Sequence, residues 1–358
     1  MRRLSVLLVG RGNVGGTFAR QLTEALDRLE REGFEVRLCG VAARGALAIQ
    51  PQGFGQETWQ EGFEPCSGSS VRKALKALEG VRPLVLVDAT ADPEMSANYR
   101  HALDQGVHIV SCNKIPFSGP QSDFDALFDA ARGHGLYVRH ESTVGAGLPT
   151  LGTLRNLRQS GDTIEQISGC FSGTLNLLCA GLDTGKSFSS LLASATKNGF
   201  TEPDPREDLS GRDVARKVLI LARLAGDSLE PGDVRCLPMV ETDNSLPVDG
   251  FMTSLEPYDR VLGERSRRAA RGGKVLRYIA RAAPAEAGCE LAEVSKDNPL
   301  ARLTGPENVF VFTTRRYTVP LVINGPGAGP EVTAGGLFAD LLEVGHGVAD
   351  GVAREKQA

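Results

Sequence analysis

Hydrophobic residues follow two alternating patterns along the first 140 residues of the chain. Short uninterrupted apolar runs predict strands that are covered on both faces, as in a parallel sheet. Between these runs, apolar residues recur at the three- and four-residue spacing of a helix. The predicted strands are residues 4–9, 36–42, 84–88, 107–111 and 136–139, and the predicted helices are residues 14–29, 95–105 and 124–132. This alternation predicts an α/β fold with a doubly wound parallel sheet.

The pattern changes after residue 141. Predicted helices cover residues 150–158, 189–197, 212–224 and 337–343, and predicted strands cover residues 164–171, 275–282, 290–294 and 309–317. Helices and strands in separate groups indicate a second, α+β domain with a mixed or antiparallel sheet. Residues 44–70 are rich in Gly, Gln and Pro without a clear period, which predicts an irregular connection.

Composition excludes several classes of protein. A chain of 358 residues is too long for one ordinary core, and its net charge of −4 without a basic stripe argues against nucleic-acid and membrane partners. No apolar stretch approaches the roughly 20 residues of a membrane span, and the first apolar run ends in a glycine turn without a signal-peptide cleavage site. Seven scattered cysteines without a CxxC motif indicate reduced thiols. We therefore expect a cytoplasmic protein.

A G-x-G-x-x-G motif, Gly10-Arg11-Gly12-Asn13-Val14-Gly15, joins the first predicted strand to the first predicted helix. Gly10 allows the tight turn, Gly12 lets the backbone approach a pyrophosphate, and Gly15 permits close packing of helix and strand. The free N–H groups at the helix start, which include those of Asn13 and Val14, face the phosphates. The motif in this context predicts a Rossmann-type domain that binds NAD or NADP.

The choice between the two cofactors depends on the end of the second predicted strand. An NAD site usually has an acidic residue there, but this chain has Val41-Ala42-Ala43-Arg44. Arg44 favours the 2′-phosphate of NADP, although an exposed loop arginine is the alternative. The small residues at 88–91, which include Thr90, would let a nicotinamide ring lie close to the third strand.

Residues 201–217 contain an unusual concentration of acids. Pro203 and Pro205 predict an extended chain from Glu202 to Arg206, followed by a helix that begins at Ser210 or Gly211. On that helix Asp213 and Lys217 share a face, which alone is typical of an exposed salt bridge. Five acids near this lysine favour a bound cation such as an α-amino group, and the lysine could protonate an oxyanion. The five acids are Glu202, Asp204, Glu207, Asp208 and Asp213.

Four motifs in the expected order make the chain resemble homoserine dehydrogenases from the glycine turn to about Glu343. They are Cys112-Asn113-Lys114, the loop Glu141-Ser142-Thr143-Val144-Gly145-Ala146-Gly147-Leu148-Pro149, the turn Phe171-Ser172-Gly173-Thr174-Leu175-Asn176, and the acid-rich segment. Many bacterial members carry asparagine where this chain has Ser172, which leaves the polar contacts of that turn open. The resemblance implies an NAD(P)-dependent oxidoreductase that interconverts L-aspartate 4-semialdehyde and L-homoserine.

The resemblance also implies roles for individual residues. Lys217 corresponds to the catalytic lysine, with Asp213 beside it, and Lys114 to a second lysine near the cofactor and the reacting oxygen. Glu202 and Asp208 would hold the substrate ammonium, and the backbone of Gly173 and Thr174 would face the substrate. Gly327, in the glycine-rich turn 325–329, would return the chain to the cofactor. Oxygens of Glu141, Val144, Ala146 and Leu148 would bind sodium or potassium.

These observations together predict three segments: an NAD(P)-binding Rossmann domain at 1–140, a substrate-binding and dimerisation domain at 141–322, and a C-terminal segment at 323–358 that returns to the first domain. We expect a small-molecule substrate and a homodimer. No regulatory or kinase domain of the kind often found in the family is expected in this sequence. Two alternatives remain open, namely a dehydrogenase of another amino-acid semialdehyde and a catalytically silent NADP-binding sensor.

Overall fold

The computed structural model describes residues 2–55 and 58–349. The chain divides into two compact units, a first unit of Met1–Gly147 with Ala328–Ala358 and a second unit of Leu148–Gly327. The predicted boundaries at 140 and 322 lie a few residues before these. The last part of the predicted C-terminal segment, residues 350–358, lies outside the described residues.

The first unit contains a seven-stranded sheet in the order β4-β3-β2-β1-β5-β6-β7. Strands β2, β1, β5, β6 and β7 run parallel, which confirms the Rossmann-type doubly wound fold. The strands are β1 (Arg2–Val9), β2 (Phe34–Ala43), β3 (Ala46–Ile49), β4 (Glu64–Pro65), β5 (Leu84–Asp88), β6 (His108–Ser111) and β7 (Val138–Arg139).

The prediction of an irregular connection at residues 44–70 is wrong. Strand β3 folds back antiparallel on β2 through a tight turn at Gly45, which has a positive φ of 68°, and β4 pairs with β3. These edge strands have four and two residues, which is too short to show a two-residue period. Their formation depends on pairing with the neighbouring strand rather than on a local pattern.

Five helices of the first unit connect these strands. They are α1 (Asn13–Arg31), α2 (Ser70–Ala77), α3 (Met95–Asp104), α4 (Ile115–Ser118) and α5 (Gln121–His134). Apolar side chains fill the core between the sheet and the helices. Leu4, Val6 and Phe18 belong to this core and have no exposed surface. The glycine turn and the carboxyl ends of β1, β2 and β5 are therefore supported by a well-packed core.

The second unit contains a six-stranded sheet in the order β13-β12-β8-β10-β11-β9. All neighbouring strands are antiparallel except β9 and β11, so the sheet is mixed, as predicted for an α+β domain. The strands are β8 (Ile164–Cys170), β9 (Val234–Cys236), β10 (Lys274–Ala283), β11 (Glu286–Ser295), β12 (Glu307–Thr314) and β13 (Leu321–Pro326).

Helices of the second unit pack against this sheet and against one another. They are α6 (Thr150–Gln159), α7 (Gly173–Asp183), α8 (Phe188–Lys197), α9 (Pro205–Leu209), α10 (Arg212–Ala225), α11 (Val248–Thr253) and α12 (Glu256–Arg271). Sequence reasoning missed α7, which is apolar on most faces, and α12, which is rich in charge. The uniform apolar character of α7 hides the periodicity on which helix prediction depends, whereas the buried face of α12 at Leu262, Ser266 and Ala269 has helical spacing and was overlooked.

The last helix, α13 (Pro330–Ala349), belongs to the first unit. Its buried side chains Leu337, Leu341 and Val344 join the core of that unit. The predicted helix covered residues 337–343 only. The observed helix begins seven residues earlier, at Pro330. This added part includes Gly336, where a Cβ would overlap Ser142 Oγ. Glycine is unfavourable in helices, but here it is needed for close packing. No helix in the described ranges is long and apolar enough to cross a membrane.

One buried cation stabilises the second unit. Arg277 on β10 is 2% exposed; its guanidinium pairs with Asp183 at 2.5 Å and donates to the carbonyl oxygens of Leu300, Ala301 and Leu303 at 3.1, 2.7 and 2.9 Å. The arginine thereby joins β10, α7 and the segment before β12. Its removal would leave one carboxylate and three carbonyl groups without these donors.

Replacing Arg277 with Ala is expected to lower the free energy of unfolding by about 3–5 kcal/mol, because a buried ion pair loses one partner. Arg281, exposed on the same strand, provides the matched control. Arg281→Ala should change stability by less than about 0.5 kcal/mol. Urea denaturation followed by circular dichroism measures both, and equal effects of the two substitutions would contradict the structural role of Arg277.

Candidate active site

The glycine turn after β1 requires glycine on steric grounds at two of its three glycine positions. Gly10 has a φ of +93°, and a Cβ there would lie 2.8 Å from Thr90 Cγ2. A Cβ at Gly15 would overlap the carbonyl oxygen of Gly10, whereas the space beside Gly12 is open. Helix α1 begins at Asn13 without a side-chain cap, so its first N–H groups are available to a ligand. The geometry fits a pyrophosphate.

Two arginines flank this turn. Arg44 is exposed in the hairpin between β2 and β3, and residues 41–46 contain no acid. Arg11, which sequence reasoning did not single out, lies over the ring of Phe63 with its guanidinium carbon 4.7 Å from the ring centroid. The stacking fixes a second cation next to the glycine turn.

A buried carboxylate joins two turns at the carboxyl ends of β5 and β6. Asp88 Oδ1 accepts from the Thr90 N–H at 2.8 Å, and Oδ2 accepts from the Tyr99 hydroxyl at 2.7 Å and from Asn113 Nδ2 at 3.2 Å. Burial raises the pKa of Asp88. The network positions Thr90 and the segment that precedes Lys114, which starts α4. Asp88 and Asn113 were missed as site residues, although an acid that ends an apolar strand was a detectable signal.

The loop predicted to bind a monovalent cation is well defined. Glu141 is buried in a 3-10 turn, and Gly145 and Ala146 both have positive φ, 82° and 55°. The N–H of Glu141 donates to Oδ2 of Asp340 on α13 at 2.8 Å. Burial, and then the charge of Glu141, raise the pKa of Asp340 to about 8.

The charge of the buried Glu141 acts on the buried Asp340, and a bound cation would relieve this repulsion, so the residues present fit such an ion. Val144 and Ala146 lie on the same loop in the first unit, and Leu148 is the first residue of the second unit. Within the described residues, no cluster of three or more His, Cys, Asp and Glu side chains could hold a metal ion. Backbone oxygens would therefore have to complete the coordination.

Lys217 in the second unit is a buried lysine on α10, with 8% of its surface exposed. Its Nζ donates to the carbonyl oxygen of Phe171 at 2.7 Å and pairs with Asp213 Oδ2 at 2.8 Å. Phe171 directly follows β8, and Asp213 lies one turn earlier on α10. The alternative of an exposed salt bridge does not hold for Lys217, because a buried ammonium needs these partners.

A second group of side chains surrounds Asp208. Thr174 Oγ1 lies 3.0 Å from Asp208 Oδ1, and the backbone N–H of Glu202 donates to Oδ2 at 2.8 Å. Burial raises the pKa of Asp208, and the charges of Glu202 and Asp213 raise it further. This concentration of negative charge suits a ligand with a cationic amine.

Not every acid of the segment belongs to this group. Asp204 caps α9 and pairs with Arg206 at 2.7 Å, which holds the pKa of Asp204 below its usual range. The predicted extended chain from Glu202 to Arg206 is wrong at its end, because Pro205 begins α9. Proline is favoured in the first turn of a helix, where its missing N–H has no partner to lose.

The structure adds Asn308, which sequence reasoning missed. This residue is 1% exposed on β12, and its Nδ2 lies 3.3 Å from the same Phe171 oxygen that binds Lys217. A Cβ at Gly327 would overlap the Asn308 side chain, which explains the glycine there. At Gly173 a Cβ would meet the Pro306 carbonyl oxygen at 2.9 Å, and Ser172 caps α7 through the Leu175 N–H.

The sequence-predicted residues therefore fall into two groups. The first unit contains Gly10, Gly12, Asn13, Val14, Gly15, Arg44, Thr90, Lys114, Glu141, Val144 and Ala146, and the second unit contains Leu148, Gly173, Thr174, Glu202, Asp208, Asp213, Lys217 and Gly327. The first group fits a dinucleotide and a cation loop. The second fits an amino-acid substrate beside a buried lysine.

Comparison with known proteins gives the family. Residues 149–342 match homoserine dehydrogenase, and residues 10–141 match the NAD-binding domain of homoserine dehydrogenase. The homoserine dehydrogenase of Emericella nidulans is 40% identical over 280 residues, which cover 73% of this chain and 75% of that protein. The chain belongs to the homoserine dehydrogenase family.

Two further relatives extend the likeness to nearly the whole chain. The chloroplastic bifunctional aspartokinase/homoserine dehydrogenase 1 of Arabidopsis thaliana is 38% identical over 357 residues, which cover 95% of this chain and 38% of that protein. The chain thus spans less than half the length of this bifunctional relative. A crystal structure of a Candida auris protein of unknown function matches with a TM-score of 0.89 and 30% identity, over 97% of this chain and 99% of that one.

In this member of the family, substitution of one glycine of the turn by alanine tests the assignment of NAD(P) binding. Gly15→Ala is expected to raise the Kd for NADPH at least about tenfold, because the methyl group displaces Gly10 and deforms the turn. Gly16 is the matched control on the same helix, since a Cβ there meets nothing within 4 Å. Fluorescence titration with NADPH measures both, and equal Kd values for Gly15→Ala and Gly16→Ala would refute the assignment.

Proposed function

We propose that this protein is a homoserine dehydrogenase of amino-acid biosynthesis, which interconverts L-aspartate 4-semialdehyde and L-homoserine with NADP(H). The observation that carries the proposal is the buried Lys217, held by Asp213 and the Phe171 carbonyl group in the same unit as the Asp208 group of acids. A proton donor and an amine-binding cluster are the two elements that this reaction needs from its substrate site.

The α-amino group of the substrate binds at the acid cluster. The Asp208 carboxylate already accepts hydrogen bonds from Thr174 and from the Glu202 backbone, which fixes its orientation. Glu202 is exposed, and its charge adds to the negative potential. The cluster selects substrates with a free amine over simple aldehydes, because a neutral group would leave the desolvated Asp208 uncompensated.

The two lysines provide the proton and stabilise the negative charge on the reacting oxygen. The cofactor, when bound, would supply the hydride, and the aldehyde oxygen would then carry negative charge. Lys217 donates the proton to that oxygen, directly or through a water that it orders, and Asp213 and Phe171 orient the ammonium group. Lys114, which follows the Asp88–Asn113 network, serves as the second cation near the cofactor.

Arg44 and Arg11 support NADP as the cofactor. Both are cations of the first unit near the glycine turn, and the end of β2 offers no acid for a ribose 2′-hydroxyl. In the loop 141–148, the buried Glu141 and the oxygens of Val144, Ala146 and Leu148 would bind sodium or potassium, which would keep this loop ordered.

We further propose a homodimer formed through the second unit, in the cytoplasm. Strand β13 is an edge of the six-stranded sheet, and its neighbourhood exposes Tyr317, Val319 and Val322 to 46%, 74% and 47%. Unpaired edge strands with apolar side chains favour pairing with a second chain. Sedimentation velocity of wild type and of Val322→Lys would test this arrangement.

The direct test is a cofactor absorbance assay with purified protein at mildly alkaline pH, with L-homoserine and either NADP or NAD. Reduction of NADP with L-homoserine, and weaker activity with amino alcohols one carbon shorter or longer, is the expected result. Cofactor binding without reduction on any amino alcohol would overturn the proposal.

Lys217→Met should lower kcat by about a hundredfold or more, because the reaction loses its proton donor. Methionine fills the buried space without a charge, so the Kd for NADPH should stay near that of wild type. Lys197→Met, which changes an exposed lysine of the same unit, is the control and should keep full turnover. Wild-type kcat in Lys217→Met would exclude Lys217 as the donor.

Arg44→Ala should reduce kcat/KM for NADPH about tenfold or more and leave that for NADH nearly unchanged, since only NADPH carries the 2′-phosphate. Arg31 is an exposed arginine at the opposite end of α1 from the glycine turn. Arg31→Ala should therefore affect neither cofactor. An equal loss with both cofactors in Arg44→Ala would show that Arg44 does not read the phosphate.

A further inference from the structure

We propose that Cys236 and Cys289 form a peroxide-oxidisable thiol pair, whose disulfide weakens substrate binding by releasing the start of helix α10. The proposal assigns a modification site to two cysteines that the reaction itself does not use. Its activity readout rests on the proposed function, whereas its chemical readout does not.

The two cysteines are direct neighbours in the sheet of the second unit. Cys236 on β9 and Cys289 on β11 are register partners in a parallel pair, and their Sγ atoms lie 3.5 Å apart. Adjacent strands place such Cα atoms about 4.8 Å apart, within the range of roughly 4.4–6.8 Å that disulfides require. Side-chain rotation can therefore close the bond with little movement of the strands.

The two thiols differ in access and in acidity. Cys236 is partly exposed on an edge strand, and Cys289 is buried. The Cys289 S–H donates to the Cys236 sulfur, which lowers the pKa of Cys236 and raises that of Cys289. The accessible sulfur is thus the one that carries thiolate character, as a peroxide-reactive cysteine requires.

The chemistry follows from this order. The Cys236 thiolate attacks one oxygen of hydrogen peroxide, the O–O bond breaks, and Cys236 becomes a sulfenic acid while hydroxide leaves. The Cys289 sulfur then attacks the sulfenic sulfur, an S–S bond forms, and the departing hydroxide takes the Cys289 proton as water. Two thiols lose two electrons, and one peroxide is reduced to water.

Both thiols also contact the segment that leads into the lysine helix. Cys236 Sγ lies 3.3 Å from the Ser210 carbonyl oxygen, and Cys289 Sγ lies 3.7 Å from that of Gly211. Gly211 has a φ of +74° and precedes the first residue of α10, and a Cβ there would overlap the Tyr278 hydroxyl. The turn is tightly packed, so its position depends on the neighbouring residues Cys236, Tyr278 and Cys289.

Disulfide formation pulls the two sulfurs toward each other. Their contacts with the carbonyl groups of Ser210 and Gly211 are thereby disturbed. This turn lies between Asp208, which binds the substrate amine, and Asp213, which orients Lys217. Since a weak hydrogen bond contributes modestly, we expect oxidation to raise KM for L-homoserine about fivefold. The Kd for NADPH, which the first unit binds, should not change.

The experiment treats the reduced full-length protein with a few equivalents of hydrogen peroxide, blocks free thiols by alkylation, and maps disulfides by mass spectrometry without reduction. The expected result is a Cys236–Cys289 cross-link, a rise in KM for L-homoserine and faster amide hydrogen exchange in residues 208–217. Dithiothreitol should reverse all three. Cys236→Ser and Cys289→Ser keep a hydroxyl donor at each position and should retain the KM of the reduced wild type after peroxide.

Cys66→Ser is the matched control, because Cys66 is also partly exposed but contacts the Ser67 carbonyl oxygen rather than a second thiol. It should respond to peroxide as wild type does. A missing cross-link, or a cross-link that changes neither KM nor hydrogen exchange, overturns the proposal. If the reduced protein does not oxidise L-homoserine, the proposed function fails. The thiol proposal is then still decided by the cross-link and by the rate of amide hydrogen exchange in residues 208–217.

Discussion

The proposed substrate site depends on one ammonium group that stays charged inside the protein. Lys217 is almost fully buried, and a buried ammonium is stable only when opposite charge and oriented dipoles replace water. Asp213 supplies the charge from the preceding helical turn, and the Phe171 carbonyl supplies the dipole from the end of β8. This requirement ties α10 to the central sheet, so that the sheet, the helix and the turn at Gly211 form one structural unit.

In the proposed function, substrate recognition and proton transfer use neighbouring but distinct groups of residues. Burial, and then the charges of the neighbouring acids Glu202 and Asp213, raise the pKa of Asp208, and the Thr174 and Glu202 donors hold its carboxylate in place. An amine ligand would relieve that repulsion. The cost of this arrangement is electrostatic, and the amine of the proposed substrate would offset it on binding. The short turn between Asp208 and Asp213 couples the two groups, and the thiol pair of Cys236 and Cys289 packs against that turn.

In the first unit a buried carboxylate, rather than a buried ammonium group, joins separate elements. One buried carboxylate, Asp88, orders the turn at Thr90 and the segment before Lys114 through Tyr99 and Asn113. The glycine turn depends on steric limits instead, since a Cβ at Gly10 would meet Thr90 and a Cβ at Gly15 would overlap the Gly10 carbonyl oxygen. The cofactor region therefore combines a backbone motif that is local in sequence with a hydrogen-bond network between separate strands.

The sequence by itself determined the features that are local along the chain: the parallel strands, the glycine turn, the spacing of Asp213 and Lys217, and the family. It did not reveal the β2–β3 hairpin or helix α7, because edge pairing and burial rather than periodicity stabilise them. The buried face of α12 has helical spacing and was overlooked among its many charges. Only the tertiary structure decided that Lys217 is buried against Phe171 and that Cys236 meets Cys289. These contacts join residues that are far apart in sequence, and backbone carbonyl groups carry no residue-type signal at all.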